Sequence, residues 1–199
     1  MTAKQTVASL AVQLARKGWL PATSGNLSVR VVDTADFCIT PSGVDKGALQ
    51  AADVLRVSAD GELLEETKYR PSAETIVHQH LYRTEDCGAV LHVHTMYNNL
   101  VSEIYFESGF VDFANHELLK ALGHWEEGAH IRVPIVENYA NLERLGQAAR
   151  DSLVDGVPAV LVRNHGIYAF GRGPVEAKRH LEALEFLFEY KVRMRQLGS

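Results

Sequence analysis

A chain of 199 residues, 46% hydrophobic and 23% charged, can bury a sizeable core and is ordinary for one globular domain spanning 1–199. Its formal net charge of −5, with no run of five or six like charges, argues against a nucleic-acid surface or an anionic membrane as partner. No apolar stretch approaches the ~20 residues a membrane helix needs, and two distant cysteines without metal spacing, Cys38 and Cys87, fit a cytoplasmic chain with free thiols.

The opening MTAKQTVASLAVQLARKGW has no unbroken apolar core leading to a small-residue cleavage site, so it reads as an amphipathic helix rather than a signal peptide. Val7, Leu10, Ala11 and Leu14 recur at helical spacing, and Gly18 is a natural stop. ATSGNLSVRVVD is a polar turn feeding an alternating strand, and FCITPSG is a second strand ending in another polar turn. VLRVSADGELLEE predicts a hairpin about Asp60-Gly61. Pro71, a Ser72 cap and Glu74 open a helix that runs through IVHQHLYR. CGAVLHVHT is a buried strand, MYNNLVSEIY a helix, and HELLKALG a short helix closed by Gly123. HIRVPIV follows as a strand and NLERLGQAARDSL as a helix. PAVLVRNHGIYAFG reads as two strands around an Asn-His-Gly turn. Pro174 opens the last helix, where Leu181, Leu184, Leu187, Phe188 and Lys191 mark buried and exposed rows. Hairpins and helices intermixed along the whole length predict an α/β fold with a mixed sheet covered on both faces.

Alternation on a strand sends side chains at i and i+2 to one side, so His92 and His94 share a face while Leu91 and Val93 take the other. Two neutral imidazoles so placed can chelate one metal ion; the alternative is a hydrogen-bonded pair beside a cleft, since a metal site needs further ligands. His78 and His80 have the same spacing on a helix, where residues two apart diverge by about 200°, and cannot chelate together. His78 lies one turn from Glu74 on the same face, which predicts a structural or outer contact. His124, His130 and His180 carry no partner pattern and read as surface or packing residues. His165, in its Asn-His-Gly turn, offers a third ligand. Three histidines on strand ends can bind zinc and leave a fourth position open, as catalysis requires.

TSGN (23–26), PSG (41–43) and PS (71–72) are short turns that expose backbone N–H groups, and Ser72 stands at a helix N-terminus, where the dipole favours an anion. Each alone is common turn chemistry. Three of them ahead of a candidate metal strand predict a phosphate pocket.

TSGNLSVR, ITPSG, PSAE, the HVH strand and the late NHG, in this order, resemble the class II aldolase/epimerase (adducin-like) family of metal-dependent sugar-phosphate enzymes. The resemblance runs from about residue 5 to residue 195. It implies a three-layer αβα sandwich with a central mixed, largely antiparallel sheet. One divalent metal per chain, zinc, would be held by His92, His94 and His165. Ser24, Gly25, Asn26, Ser42, Gly43 and Ser72 would cradle a phosphate, and Glu74 would stand beside the metal as an acid/base group or auxiliary ligand. A homotetramer with cyclic symmetry is implied as well.

ANHELLKALG, VPIVEN and EALEFLFEY are similar to the branch of that family that dehydrates 5-methylthioribulose 1-phosphate in methionine salvage. In that branch the Glu of His-Glu-x-x-Lys, here Glu117, is the general acid/base; read from the residues alone, Glu117 is a solvated carboxylate in a helix's first turn. The division of labour between Glu74 and Glu117 stays open. Two rival expectations stand beside the dehydratase. One is an aldolase or 4-epimerase acting on fuculose or ribulose phosphate with the same site. The other is a non-catalytic interaction domain, since this fold also occurs in cytoskeletal proteins.

Overall fold

A computed structural model describes residues 1–84 and 87–198. Helix α1 (Ala3–Arg16) opens with a reciprocal cap between Thr2 and Gln5 and buries Val7, Leu10, Ala11 and Leu14, the residues that share its apolar stripe. Eight strands then build one sheet: β1 (Asn26–Arg30), β2 (Phe37–Ile39), β3 (Leu55–Val57), β4 (Ala89–Val93), β5 (Phe110–Ala114), β6 (His130–Val136), β7 (Ala159–Val162) and β8 (Gly166–Gly171). Their order across the sheet is β3-β2-β1-β4-β8-β7-β6-β5, and every pair is antiparallel except β6 with β7.

The remaining helices are α2 (Thr75–Tyr82), α3 (Met96–Ile104), α4 (Leu142–Asp151) and α5 (Pro174–Gln196). Strand alternation divides the core between the two faces. Leu27, Leu91 and Val93 pack with Leu14 of α1, Val101 of α3 and Leu184 and Phe188 of α5. Val90 and Tyr168 pack on the other face with Val77 and Leu81 of α2 and Leu145 of α4. The result is the expected three-layer arrangement, and it sends His92 toward the α2 face. No helix among the described residues is long and apolar enough to cross a membrane.

Local differences from expectation have local causes. The hairpin at Asp60-Gly61 turns as expected, with Ser58 N–H donating to the Glu62 carbonyl at 2.8 Å, but beyond it only a Val57–Leu63 bridge forms. Glu65 instead turns to accept from Lys4 Nζ and the Arg56 N–H, which takes the chain off the sheet edge. HELLKALG is a 3-10 helix over Glu117–Leu122, closed by Gly123 at φ +98°. Strand β5 has no counterpart in the sequence reading, although Val111 and Phe113 alternate inward with Asp112 outward. Ser72 does not cap α2, because the helix begins at Thr75 with Glu74 in the capping position.

One buried carboxyl ties α5 to the start of α3. Glu185 accepts from the Thr95 hydroxyl at 2.6 Å and from Asn98 Nδ2 at 2.8 Å. Burial pushes its pKa up from 4.5 to about 7, and the two hydrogen bonds offset only part of that rise. The folded chain therefore binds a proton that the unfolded chain has lost between these values. The stabilisation is present below about pH 4.5 and disappears as pH rises through 7. Glu185→Gln removes this dependence. The unfolding free energy of the variant relative to wild type should rise by roughly 2–3 kcal/mol between pH 5 and pH 8. A difference that stays flat across that range in denaturant titrations would show that the carboxyl is not held protonated.

Candidate functional site

The antiparallel register sets Asn26 of β1 opposite His92 of β4, and His92 opposite Tyr168 of β8. His92 is fully buried and stacks on the Tyr168 ring, centroids 3.9 Å apart and 10° from parallel. Its Nδ1 donates to the Ile167 carbonyl at 2.9 Å, which leaves the Nε2 lone pair facing His94 Nε2 at 2.8 Å. His165 arrives from the turn between β7 and β8, with Nδ1 3.2 Å from Asn138 Oδ1 and Nε2 3.0 Å from Glu74 Oε1. The three rings stand edge to face with centroids 4.7–5.0 Å apart. One nitrogen from each lies within 4.8 Å of the others.

Such a cluster needs a positive centre, because converging imidazole lone pairs repel unless a proton or a cation lies between them. Burial pushes His92 well below the ordinary histidine value, and burial together with the charge of His165 takes His94 to about 4. Neutral rings are the form that binds metal. Gly166 supports the same fit: a Cβ there would lie 2.9 Å from His94 Cδ2 and 3.0 Å from His92 Cε1, and would press into the Val93 carbonyl. The donor set suits a divalent cation with a position left for a substrate oxygen.

Glu74 closes the cluster on the α2 side. Its Oε2 accepts from Asn26 Nδ2 at 2.6 Å and lies 3.5 Å from His92 Nε2. Burial alone would push this carboxyl up. The His165 hydrogen bond, the charges of His92 and His165, and the Asn26 amide outweigh it and hold the group well below the usual carboxylate range. Glu74 is ionised.

The three turns converge beside these residues. A bridge between Pro41 and Pro71 joins two of them, and Asn26 Nδ2 reaches Ser72 Oγ at 3.3 Å from the third. Gly25 adopts φ +72°, where a Cβ would also meet the His92 carbonyl oxygen at 2.7 Å. Ser24 Oγ is buried without a hydrogen-bond partner among the described residues, whereas Ser42 and Gly43 are exposed. The Ser42 N–H already donates to the Arg70 carbonyl, so its free donor is the hydroxyl. Asn26 is fully engaged with Ser72, Glu74 and His78.

Two residues near the cluster had no distinguishing signal in the sequence. Lys46 is 3% exposed, with Nζ donating to the Thr23 carbonyl at 2.5 Å and the Val44 carbonyl at 3.3 Å. Burial pushes its pKa down, opposed by the charges of Asp45 and Glu74. A lysine in the turn Val-Asp-Lys-Gly reads as solvated, and only the fold reveals its burial. Asn138, after β6, orients His165 from 27 positions away, a separation that no local pattern announces.

Glu117 stands elsewhere. It follows β5, the edge strand four places from β4, roughly 19 Å away at the usual ~4.8 Å strand spacing. It lines a cleft with Val157, Pro158 and Arg172, at the end of β7 and β8 opposite His165. There it is exposed and pairs with Lys120 Nζ at 2.9 Å.

The profile for the class II aldolase and adducin N-terminal domain matches residues 5–192. The chain belongs to this family. It is 50% identical to the methylthioribulose-1-phosphate dehydratase of Persephonella marina (strain DSM 14350 / EX-H1), over 92% of this chain and 86% of that one. With the protein of the same name from Bacillus subtilis (strain 168) it shares 44% identity, over 99% of this chain and 97% of the relative. Among solved structures, an L-fuculose 1-phosphate aldolase superposes with a TM-score of 0.83 at 23% identity, covering 99% of this chain and 88% of the other. The L-fuculose-1-phosphate aldolase of Thermus thermophilus gives 0.75 at 25% identity, over 98% and 95% of the two chains.

The ligand set has a direct check. Elemental analysis after dialysis should find one divalent metal per wild-type chain and none in His165→Ala. Gly166→Ala, which keeps all three histidines, should fold but bind metal ~10–100-fold more weakly, because its methyl group displaces two ligand rings. A full metal complement in His165→Ala would remove that residue from the ligand set.

Proposed function

We propose that the chain, acting as one domain over 1–199, is a metal-dependent dehydratase of methionine salvage. It removes water from 5-methylthioribulose 1-phosphate to give 2,3-diketo-5-methylthiopentyl 1-phosphate. The observation that carries this reading is the convergence of His92, His94 and His165 with an ionised glutamate at their edge, in a chain close to half identical to proteins of that name. The two buried cysteines, neither in a disulfide, suit a cytoplasmic enzyme.

His92, His94 and His165 would hold a divalent cation, which we take to be zinc and which would supply Lewis acidity toward the substrate's oxygens. The chain's own residues handle protons and orientation. Glu74 enters the reaction ionised beside the cluster, so we assign it to take the proton from carbon 3. The hydroxyl on carbon 4 needs a proton as it departs, and Glu117 is assigned that task. The sheet separates Glu117 from the histidines of its own chain, so we place it at the site of a neighbouring copy. Exposure supports this placement: Phe186 and Tyr190, which flank His116, are 53% and 43% exposed on α5. A homotetramer with cyclic symmetry would bury them and complete each site.

For the phosphate we assign Ser24, Gly25, Asn26, Ser42, Gly43 and Ser72, with Asn26 serving mainly to hold Ser72 and Glu74 in place. Lys46 joins them, because among the described residues its buried ammonium hydrogen-bonds to the Thr23 and Val44 carbonyls and pairs directly with no carboxylate. Ser72→Ala and Lys46→Met should raise KM for the phosphorylated substrate while changing kcat little, since the phosphate is held alike in ground and transition states. A pure kcat defect in both would contradict the assignment.

An aldolase or 4-epimerase would use the same metal cluster. Product analysis with methylthioribulose phosphate against fuculose and ribulose phosphates separates these chemistries, and aldol cleavage without dehydration would overturn the dehydratase. Three retained histidines weigh against a purely structural adducin-like role.

Glu117→Gln should bind metal normally and lose dehydration by ~10²–10⁴-fold. Mixing unfolded Glu117→Gln and His165→Ala chains and refolding them together should restore turnover, because some mixed sites then hold an intact His165 and an intact Glu117 from different copies. No restoration, or a light-scattering mass near the 22.0 kDa of one chain, would refute the shared site.

A further inference from the structure

Helix α2 carries a buried histidine to which the reaction described above gives no part. His78 is completely enclosed between β1, α2 and the edge of the Tyr168 ring. Its Nε2 hydrogen-bonds to Asn26 Oδ1, and its Nδ1 lies 2.7 Å from Ser28 Oγ. Ser28 Oγ lies in turn 2.8 Å from the Tyr82 hydroxyl. At the other end Asn26 Nδ2 donates to Glu74 Oε2 at 2.6 Å. Five side chains from β1, α2 and the segment before it thus form one continuous chain of hydrogen bonds ending at the metal cluster.

The chemistry of the groups sets its direction. An amide oxygen only accepts, so the His78 proton sits on Nε2. Burial pushes His78 down to about 3, so the ring is neutral and its Nδ1 must accept. Ser28 then donates to His78 and accepts from Tyr82. Every donor points toward Glu74. A flipped Asn26 would set its oxygen against the Glu74 carboxylate and its NH₂ against the His78 N–H, losing both bonds. The two neighbours therefore hold the amide in one orientation between them.

We propose that His78 is a positioning residue: through Asn26 it fixes the Glu74 carboxylate in the one placement that meets both His165 and the substrate. Asn26 is suited to the task by its place opposite His92 at the start of β1, where the strand holds its backbone. Ser28 and Tyr82 complete the polar partners of a ring that otherwise lies in the apolar layer between the sheet and α2.

This inference rests on the reading of Glu74 as the base, and the first experiment is independent of that reading. In wild-type protein labelled with [¹⁵N]histidine, NMR at pH 7 should show His78 neutral with its proton on Nε2. A proton on Nδ1, or a charged ring, would overturn the relay whatever reaction the enzyme performs. The second experiment compares His78→Leu with His78→Gln. If His78 only fills space, leucine should be the better replacement, because glutamine buries an extra polar group in an apolar layer. If it positions Asn26, leucine should lower kcat ~10–100-fold with KM and metal content near wild type, while glutamine, which keeps an N–H donor, should recover most of the loss. Leucine performing as well as glutamine in folded, metal-loaded enzyme would refute positioning. Wild-type enzyme that fails to dehydrate methylthioribulose phosphate would sink the functional reading and leave the tautomer result standing.

Discussion

The register that places Asn26, His92 and Tyr168 in one row across β1, β4 and β8 is the constraint on which the site depends. Side chains alternate faces along a strand, so a slip of one residue in β4 would turn His92 into the layer filled by Leu14, Leu184 and Phe188 and bring Leu91 or Val93 to the site. The apolar content of both faces guards against that slip. Leu91 and Val93 have their own buried partners on one side, while Val90 has partners in α2 and α4 on the other. The core thus specifies the position of the ligand pair, and the ligands themselves contribute little to choosing it.

That scaffold then carries groups that would destabilise it if left unpaired. Three imidazoles, an ionised carboxylate and a buried ammonium lie within a small region, and each is tied to something rigid. Backbone carbonyls take His92 and Lys46, Asn138 takes His165, and Asn26 takes Glu74. These anchors do not cancel the cost of desolvation; they direct it. Burial keeps the His92 and His94 rings neutral, and the carboxylate is kept charged by donors aimed at it. An anion at Ser24, Ser72 and Lys46 and a cation at the histidines would relieve opposite parts of the same electrostatic stress, which gives both ligands a shared reason to bind.

What could be read in the sequence follows from the range of each signal. The His92–His94 face was legible because a period of two is a property of five consecutive residues. The α1 stripe and the Asn-His-Gly turn were legible for the same reason. The meeting of His165 with that pair depends on β8 lying beside β4, a pairing across about 75 residues, so the Asn-His-Gly turn offered His165 only as a candidate and the family resemblance joined it to the pair. Lys46 and Asn138 were invisible because their importance lies in burial and orientation, which only tertiary packing creates. Ser72 looked like a cap because it precedes an apolar run. In the fold its hydroxyl accepts from the Glu74 N–H at 3.2 Å and from Asn26, which places it at the site and not on the helix end. Strand β5 escaped notice because Asp112 and the turn before it diluted a short alternation whose partner, β6, comes sixteen residues later.

The two glutamates show how differently one fold can house the same functional group. Glu74 is partly buried, where desolvation opposes its charge, and the hydrogen-bond donors aimed at it outweigh that cost. Glu117 lies in the open and pairs with Lys120. On the proposed assignment Glu117 must give up a proton, and contact with another copy would favour its protonated form by excluding water. Assembly would then do more than complete the list of catalytic groups. It would favour the neutral form of Glu117 that the proposed acid role needs, while the fold of each chain favours the charged form of Glu74.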